Sequence, residues 1–446
     1  MIKTNANIKK QLEPKHHRKV ESAGSFPNIK NISYKLFGFW KILGPGLVTG
    51  ASDDDPSGIA TYSQAGAAYG LSTLWTALIT FPLMASIQEM CARIGIVTSQ
   101  GLAGTLKKNY SKPVLYLMLL FSFPAIVMNI GADIAGMGAV GNLLFPSIHA
   151  IFFSIVFTII LLGLIIFLPY QKIASVLKYL CVVLLVYFIV PLFYKQDWLA
   201  ILKATFIPTI KFNKDFISIL VAILGTTISP YLFFWQATME VEDMKQKKKH
   251  LVVNKRILHE MKQDVDFGML FSNLTMFFII LTTGTVLFNG GIHKIDTVEQ
   301  AAKALKPLAG NFAYLLFALG VIGTGLLAIP VLSGSLSYIV TETFGWKEGL
   351  DKTFDKAKAF YVIIAISLIL GLSLNYIGLS PIKALIYSAI LYGLTAPALI
   401  AIILHISNNK KIMGKNTNGK ISNILGFATL VFMTVAAVIL VYMQLT

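Results

Sequence analysis

The chain is short of charge. Of its 446 residues only 13% are Asp, Glu, Lys or Arg, where a soluble domain carries about 25%. That shortfall excludes an ordinary water-soluble globule. With 55% hydrophobic residues and several apolar runs beyond the ~18 residues needed to cross a bilayer, the sequence reads as an all-α polytopic membrane protein. Cysteine is scarce as well. Cys91 and Cys181 lie far apart inside apolar segments, which argues against a disulfide or a thiolate metal site and for packing roles. The catalytic signatures HExxH, P-loop and nucleophile elbow are missing, so neither an enzyme nor a cofactor is expected. Acid is scarcer than base, 21 residues against 38, for a net charge of +17. The basic residues fall in loops between apolar runs, so the excess is read as membrane topology and no nucleic-acid partner is expected.

The first forty residues have no apolar h-region. They are read as a polar, solvated, partly disordered basic tail and not as a signal peptide; the adjacent His16 and His17 are taken as part of it. Eleven spans follow, at about 42–69, 72–98, 113–141, 147–168, 173–194, 216–241, 266–288, 312–343, 357–376, 381–404 and 423–444. The eighth carries Gly323, Gly325, Pro330 and Gly334 and is read as interrupted or kinked. Basic loops follow spans two, six, eight and ten. With the basic tail they share one side if the N-terminus is cytoplasmic, which puts the C-terminus outside. The loop after span five, with Lys195, Lys203, Lys211 and Lys214, runs weakly against that assignment. The run "KQKKKH" is read as cytoplasmic loop in preference to a site for anionic lipid.

Spans one and six are unlike the rest. Span one contains Asp53, Asp54 and Asp55 before Pro56-Ser57-Gly58. A charge at mid-membrane costs about 3 kcal/mol or more, and proline removes a backbone donor. The helix is expected to break there, and the freed backbone groups need water, protein or an ion. Span six repeats the pattern at Gly225-Thr226-Thr227-Ile228-Ser229-Pro230. Paired interrupted helices at corresponding positions of two halves point to a transporter site at the bilayer midplane. Asp55, beside the proline, is the expected ion ligand. Asp53 and Asp54 either cap the break or line the aqueous approach.

The stretches "GPGLVTGASDDDPSGIATYSQAGAAYG", "EMCARIGIVT" and "GTTISPYLFFWQATMEVE" resemble the Nramp family of divalent metal transporters. The resemblance implies an APC/leucine-transporter-type inverted five-helix repeat with broken helices 1 and 6 and about 11 transmembrane helices. The implied organisation is a cytoplasmic tail over 1–41, a first repeat over 42–194, a second over 195–404, and a loop plus last helix over 405–446. It also implies a metal site where helices one and six unwind, at positions 55, 58, 226 and 229.

The departures from the family pattern carry the rest. Asp55 is kept, while the family's asparagine is Gly58 here. Thr226 would supply a backbone carbonyl. The family's methionine is Ser229, and the histidine associated with proton coupling is Tyr231. In helix three Asp133 stays and the glutamate three residues on is Gly136. A helix-ten glutamine aligns loosely with Ala389. A thioether suits softer transition metals, so its loss removes discrimination against hard ions. Mg²⁺ prefers oxygen ligands and keeps several waters. The pattern is similar to the Nramp-related magnesium transporters, which implies Mg²⁺, and also Mn²⁺, carried without proton coupling across a bacterial cytoplasmic membrane. The rival readings are an ordinary proton-coupled Mn²⁺/Fe²⁺ importer, a sodium-coupled solute carrier and a transporter-derived sensor. Asp133 is read either as a pathway residue or as a buried hydrogen-bonding aspartate. Gln64 and Gln236 are read as packing residues. Glu240, Glu242 and Asp243 either line an intracellular exit or solvate a helix end.

Overall fold

The computed structural model describes residues 44–169, 172, 184–193, 196–246 and 253–445. The basic tail with His16 and His17, Cys181 with most of the fifth expected span, and most of "KQKKKH" lie outside the described residues. Among the described residues the chain is helical and has no strand.

The first expected span is two helices, α1 (Pro45–Asp53) and α2 (Pro56–Tyr69). Each opens with a proline in its first turn, where a missing N–H removes no intrahelical bond. Asp55 is extended, at φ −70° and ψ 172°, as the residue before a proline prefers. The chain then turns through Gly70–Thr73, where Gly70 has φ +59°, into α3 (Trp75–Thr98), and the two arms meet at 108°. There follow α4 (Leu102–Asn109), α5 (Lys112–Leu144), α6 (Ala150–Phe167) and α7 (Trp198–Phe206). The sixth expected span is again two helices, α8 (Lys214–Thr227) and α9 (Pro230–Gln246). After them come α10 (Lys255–Thr283), α11 (Ala313–Phe344), α12 (Lys358–Leu374), α13 (Pro381–Asn408) and α14 (Lys420–Leu445).

Among the described residues eight segments are long and apolar enough to cross a bilayer, and nine if the bent pair α2–α3 is one span. The broken span α8–α9 is 94% buried over its most apolar window, whereas α6 is 22% buried and the most apolar of all. A helix apolar on every side that is not covered by protein faces lipid. The polar, broken helices are therefore at the centre and the greasy ones at the rim. The tightest packing joins α8 to α13, α5 to α11 and α13, and α1 to α10.

One expectation changes form. The eighth span is a single helix over Ala313–Phe344, with Pro330 inside it. Pro330 removes only the bond to the Leu326 carbonyl, and α11 runs through it while packed closely against α5.

Candidate functional site

The two breaks face each other. A Cβ built on Gly58 of α2 would lie 3.3 Å from the Asp53 carbonyl oxygen and from Tyr62 Cε2, and 3.4 Å from Thr226 Oγ1 of α8. Tyr62 Oη and Thr227 Oγ1 are 3.0 Å apart. Tyr231 Oη of α9 donates to the Ser52 carbonyl of α1 at 2.9 Å. The four half-helices thus meet around one point, and Asp53, Asp54, Asp55, Asp133, Thr226 and Ser229 are all buried there.

Asp55 is the N-cap of α2. Its Oδ1 accepts from the Gly58 backbone N–H at 2.7 Å and its Oδ2 from Asn129 Nδ2 of α5 at 2.8 Å. One oxygen is held by the helix it starts and the other by a neighbouring helix, so the carboxylate is fixed by neutral donors. A carboxylate offers about four lone-pair sites, so two accepted bonds leave acceptor capacity for a cation. The N-terminus of α2 also favours a negative group at this place.

At the second break, Ser229 Oγ donates to the Thr226 carbonyl at 2.6 Å, with the Gly225 carbonyl at 3.2 Å. The carbonyl expected to serve an ion is here satisfied by the hydroxyl that replaces the thioether. Sulfur is close by but engaged differently: Thr227 Oγ1 donates to Met276 Sδ of α10 at 3.6 Å.

Asp53 and Asp54 point to α10, where Ser272 Oγ lies 2.6 Å from Asp53 Oδ2 and 3.4 Å from Asp54 Oδ1. One hydroxyl has one proton, so Ser272 cannot donate to both carboxylates at once, and Asp54 has Thr275 as a further hydroxyl neighbour. Asp53 Oδ1, Asp54 Oδ2 and both oxygens of Asp133 have no hydrogen-bond partner among the described residues. Buried carboxylate oxygens left like this are expensive unless a cation or proton meets them. Among the described residues no three His, Cys, Asp or Glu side chains form a metal-holding group.

Gly136, where the family pattern has a glutamate, is a close approach. A Cβ there would lie 3.2 Å from Leu385 Cδ1 and 3.7 Å from Pro56 Cβ. Helix α5 packs against the break through this glycine, and a larger side chain there would require the Leu385 side chain to shift. Ala389 is buried on α13; its neighbour Ser388 is the residue that reaches the site, 2.8 Å from Asn129 Oδ1. Asn129 and Ser272 were not singled out from the sequence. A signal existed for Asn129, an amide in an apolar run one helical turn before Asp133 and on the same face. Gln64 and Gln236 are packing residues: Gln64 Oε1 accepts from the Ile295 N–H at 2.8 Å, and Gln236 bridges Thr49 and Glu240 at 2.5 and 2.8 Å.

Two cavities flank the centre. One of about 590 Å³ lies at the end of α9, lined by Gly104, Glu242, Tyr338, Glu342 and Glu348 among others. The other, about 560 Å³, lies at the end of α2, beside Tyr69, Gly70, Lys203 and Asn289. Neither is lined by Asp53, Asp54 or Asp55. In the first, Glu242 accepts from Tyr338 Oη and Glu342 Oε2 from the Gly104 N–H at 2.6 Å. Burial pushes the Glu348 carboxyl up, against the Thr341 hydrogen bond and the Lys352 charge.

Two helices broken opposite each other, sealed from a cavity at either end and wrapped by lipid-facing helices, define a carrier fold of the leucine-transporter type. Solved structures agree on the fold. The Eremococcus coleocola manganese transporter in complex with an aromatic bis-isothiourea compound matches with a TM-score of 0.71 at 18% identity, over 90% of this chain and 87% of that one. Mhp1, a nucleobase-cation-symport-1 family transporter, matches with 0.56 at 12% identity, over 88% and 92%. Residues 46–443 match the family described as natural resistance-associated macrophage protein-like, Nramp. The chain belongs to the Nramp family. Its relatives include proteins named divalent metal cation transporter MntH. The one from Caldanaerobacter subterraneus subsp. tengcongensis is 24% identical over 419 residues, 93% of this chain and 96% of the relative. The one from Clostridium acetobutylicum is 23% identical over 428 residues, 95% of each.

Proposed function

We propose that this protein carries divalent metal cations across a bacterial cytoplasmic membrane by alternating access, with Mg²⁺ as main cargo, Mn²⁺ as a second, and no proton coupling. The observation that carries the reading is the composition of the point where the breaks meet. Asp55 is held by neutral donors, Gly58 brings no side chain, and the Ser229 hydroxyl donates to the Thr226 carbonyl. The groups that could face an ion here are oxygens, and Gly58 adds no side-chain ligand of its own. Hard cations prefer such a set, and Mg²⁺ in particular keeps part of its water.

In this reading the ion reaches Asp55 past Asp53 and Asp54, whose unpaired oxygens attract it. It takes free lone pairs of Asp55 and, once Ser229 turns away, the Thr226 carbonyl. The arrangement described above is closed toward both cavities. Movement of α1 and α9 would open the site to the cavity at Glu242, and movement of α2 and α8 to the one at Tyr69. The basic loops support a reading in which the Glu242 cavity is cytoplasmic, the N-terminus inside and the C-terminus outside.

Uptake into proteoliposomes tests the assignment. Wild-type protein should move Mg²⁺ and Mn²⁺ in competition with each other, and Asp55→Ala should move neither. An Asp55→Ala protein with wild-type Mg²⁺ uptake would show that the site lies elsewhere.

A further inference from the structure

Asn129 is the residue at the site for which the cargo reading has no role. It lies in α5, fully buried, on a helix that contributes none of the expected ligands. Its amide is used at both ends. Nδ2 donates to Asp55 Oδ2 at 2.8 Å, and Oδ1 lies 2.8 Å from Ser388 Oγ of α13. The carboxylate fixes which end of the amide is which, because an amide oxygen turned toward Asp55 would meet a second acceptor. Ser388 in turn lies 3.2 Å from Ser57 Oγ, which donates to the Leu385 carbonyl at 2.9 Å. A closed chain of contacts therefore runs from Asp55 through Asn129 and Ser388 back to Ser57, two residues beyond Asp55.

We infer that Asn129 is a positioning residue for cation binding, which holds the Asp55 carboxylate in its ion-binding orientation and ties that orientation to helix α13 through Ser388. The inference rests on Asp55 being the ion ligand, as proposed above.

The chemistry of an amide suits this task. Lys or Arg in its place would orient the carboxylate but also cancel its charge, and the ion would then compete with a permanent counter-ion. An acid would repel Asp55. An apolar residue would leave Oδ2 buried without a donor, which favours another rotamer or neutralisation. Asparagine supplies a donor and leaves the whole negative charge for the cation. Its own carbonyl must then be satisfied, and the donor within reach is the Ser388 hydroxyl, which also lies 2.8 Å from the Leu385 carbonyl that Ser57 Oγ already serves. Partners that orient a metal ligand from behind typically change metal affinity by about 10- to 100-fold when removed.

The position also says what should follow when α13 moves. Ser388 sits on the helix that packs most closely on α8, the helix carrying Thr226. A shift of α13 against α5 would draw Ser388 from Asn129 and free the amide to leave Asp55. Ion release and helix movement would then be parts of one event.

The test uses the full-length protein in detergent and in proteoliposomes. Mn²⁺ binding is measured by titration calorimetry, and Mn²⁺ uptake is measured with and without Mg²⁺ as competitor. Asn129→Ala should weaken Mn²⁺ binding by about tenfold and raise KM by a similar factor, with maximal uptake little changed. Asn129→Ser, which keeps a donor near Asp55, should recover part of the affinity. Ser388→Ala should weaken binding less, and the double variant should bind no worse than Asn129→Ala alone, because both act through one chain of contacts. A residue needed only for folding would lower the yield or melting temperature and leave the KM of the surviving protein unchanged. Wild-type KM in Asn129→Ala would overturn the inference, and so would effects of the two single variants that multiply. If Asn129→Ala does not fold, Ser388→Ala and Asn129→Ser still decide it, since wild-type KM in both overturns it. Failure of the Asp55 assignment would look different: Asp55→Ala itself would keep wild-type Mn²⁺ binding and KM.

Discussion

The Tyr231 phenol donates its proton to the carbonyl of Ser52, 2.9 Å away. Ser52 is in the last turn of α1, where carbonyls have lost their helical partners to the break. Tyr231 is in the first turn of α9. The bond therefore ties together the two half-helices whose movement, in the proposed mechanism, would open the site on the Glu242 side. The family pattern has a histidine at this place, a group that titrates near neutrality, whereas a phenol titrates near 10 in water. Tyr231→Phe keeps the ring against Tyr392, whose centroid is 5.7 Å away, and removes only the hydroxyl. The Ser52 carbonyl is then buried without that donor, a loss of about 1–3 kcal/mol. The expected result is a lower melting temperature in detergent and easier labelling of a cysteine placed at Thr49, with the order of preference among cations unchanged. An unaltered labelling rate would mean that the bond does not hold the closed state.

Selectivity follows from two positions that act differently. Ser229→Met brings a soft ligand to the break and takes away the hydroxyl that occupies the Thr226 carbonyl. Gly58→Asn must fit where a Cβ already lies 3.3–3.4 Å from Asp53, Tyr62 and Thr226, so those neighbours must give. Ser229→Met alone should therefore fold well and raise the competition of Mn²⁺ and Cd²⁺ against Mg²⁺. The double variant with Gly58→Asn should push the preference further at lower yield. The measurement is inhibition of Mg²⁺ uptake by each metal, and an unchanged inhibition profile in a folded Ser229→Met protein would remove the soft-ligand argument.

Proton coupling needs a path of titratable groups. Here Tyr231 replaces the histidine, and Gly136 packs on Leu385 and Pro56 where the pattern has a glutamate. A pH-sensitive dye inside vesicles should stay silent during Mg²⁺ uptake. Asp133 is the remaining buried acid on α5, with neither oxygen partnered among the described residues. It is thus the place to look if a signal appears. Acidification in step with Mg²⁺ that vanishes in Asp133→Asn would return the protein to the ordinary proton-coupled mechanism.

The broken helices were readable in the sequence because their cause is local. Proline, small residues and carboxylates in an apolar run cannot continue a helix in lipid, and both breaks fall within a residue or two of Asp55 and Ser229. Pro330 was harder. Its effect depends on the helices packed around it, and of the two readings left open, interrupted or kinked, the structure has the continuous α11. Asp55 was legible as a candidate from residue type and the other candidate positions only from the family resemblance, while the partners of all of them were not legible. Nothing in the neighbourhood of Asn129 or Ser388 in the chain says that 259 positions later the two meet across one hydrogen bond. Ser272 is hidden for the same reason, 219 positions from Asp53. A ligand is marked by its own chemistry, whereas the residues that hold it in place are marked only by the packing of distant helices.

Asp264 gives the last prediction, because it holds the beginning of α1. Its Oδ1 accepts from the Gly44 N–H at 2.8 Å and its Oδ2 from the Gly46 N–H at 2.7 Å. These are orphan donors of a helix start that has no side-chain cap of its own. A carboxylate from α10 thus caps α1 from outside and is favoured by the positive end of that helix. Losing a capping side chain costs about 0.5–2 kcal/mol. Here the loss should weigh on the closed arrangement in particular, since α1 is nine residues long and stops at the break. Asp264→Ala should shift the protein toward the form open on the Glu242 side. The expected signs are faster modification of a cysteine at Thr49 and a higher Mn²⁺ KM for uptake, with Asp264→Asn intermediate because it keeps one acceptor. Equal modification rates in Asp264→Ala and wild type would show that α1 is held in place by its packing on α10 alone.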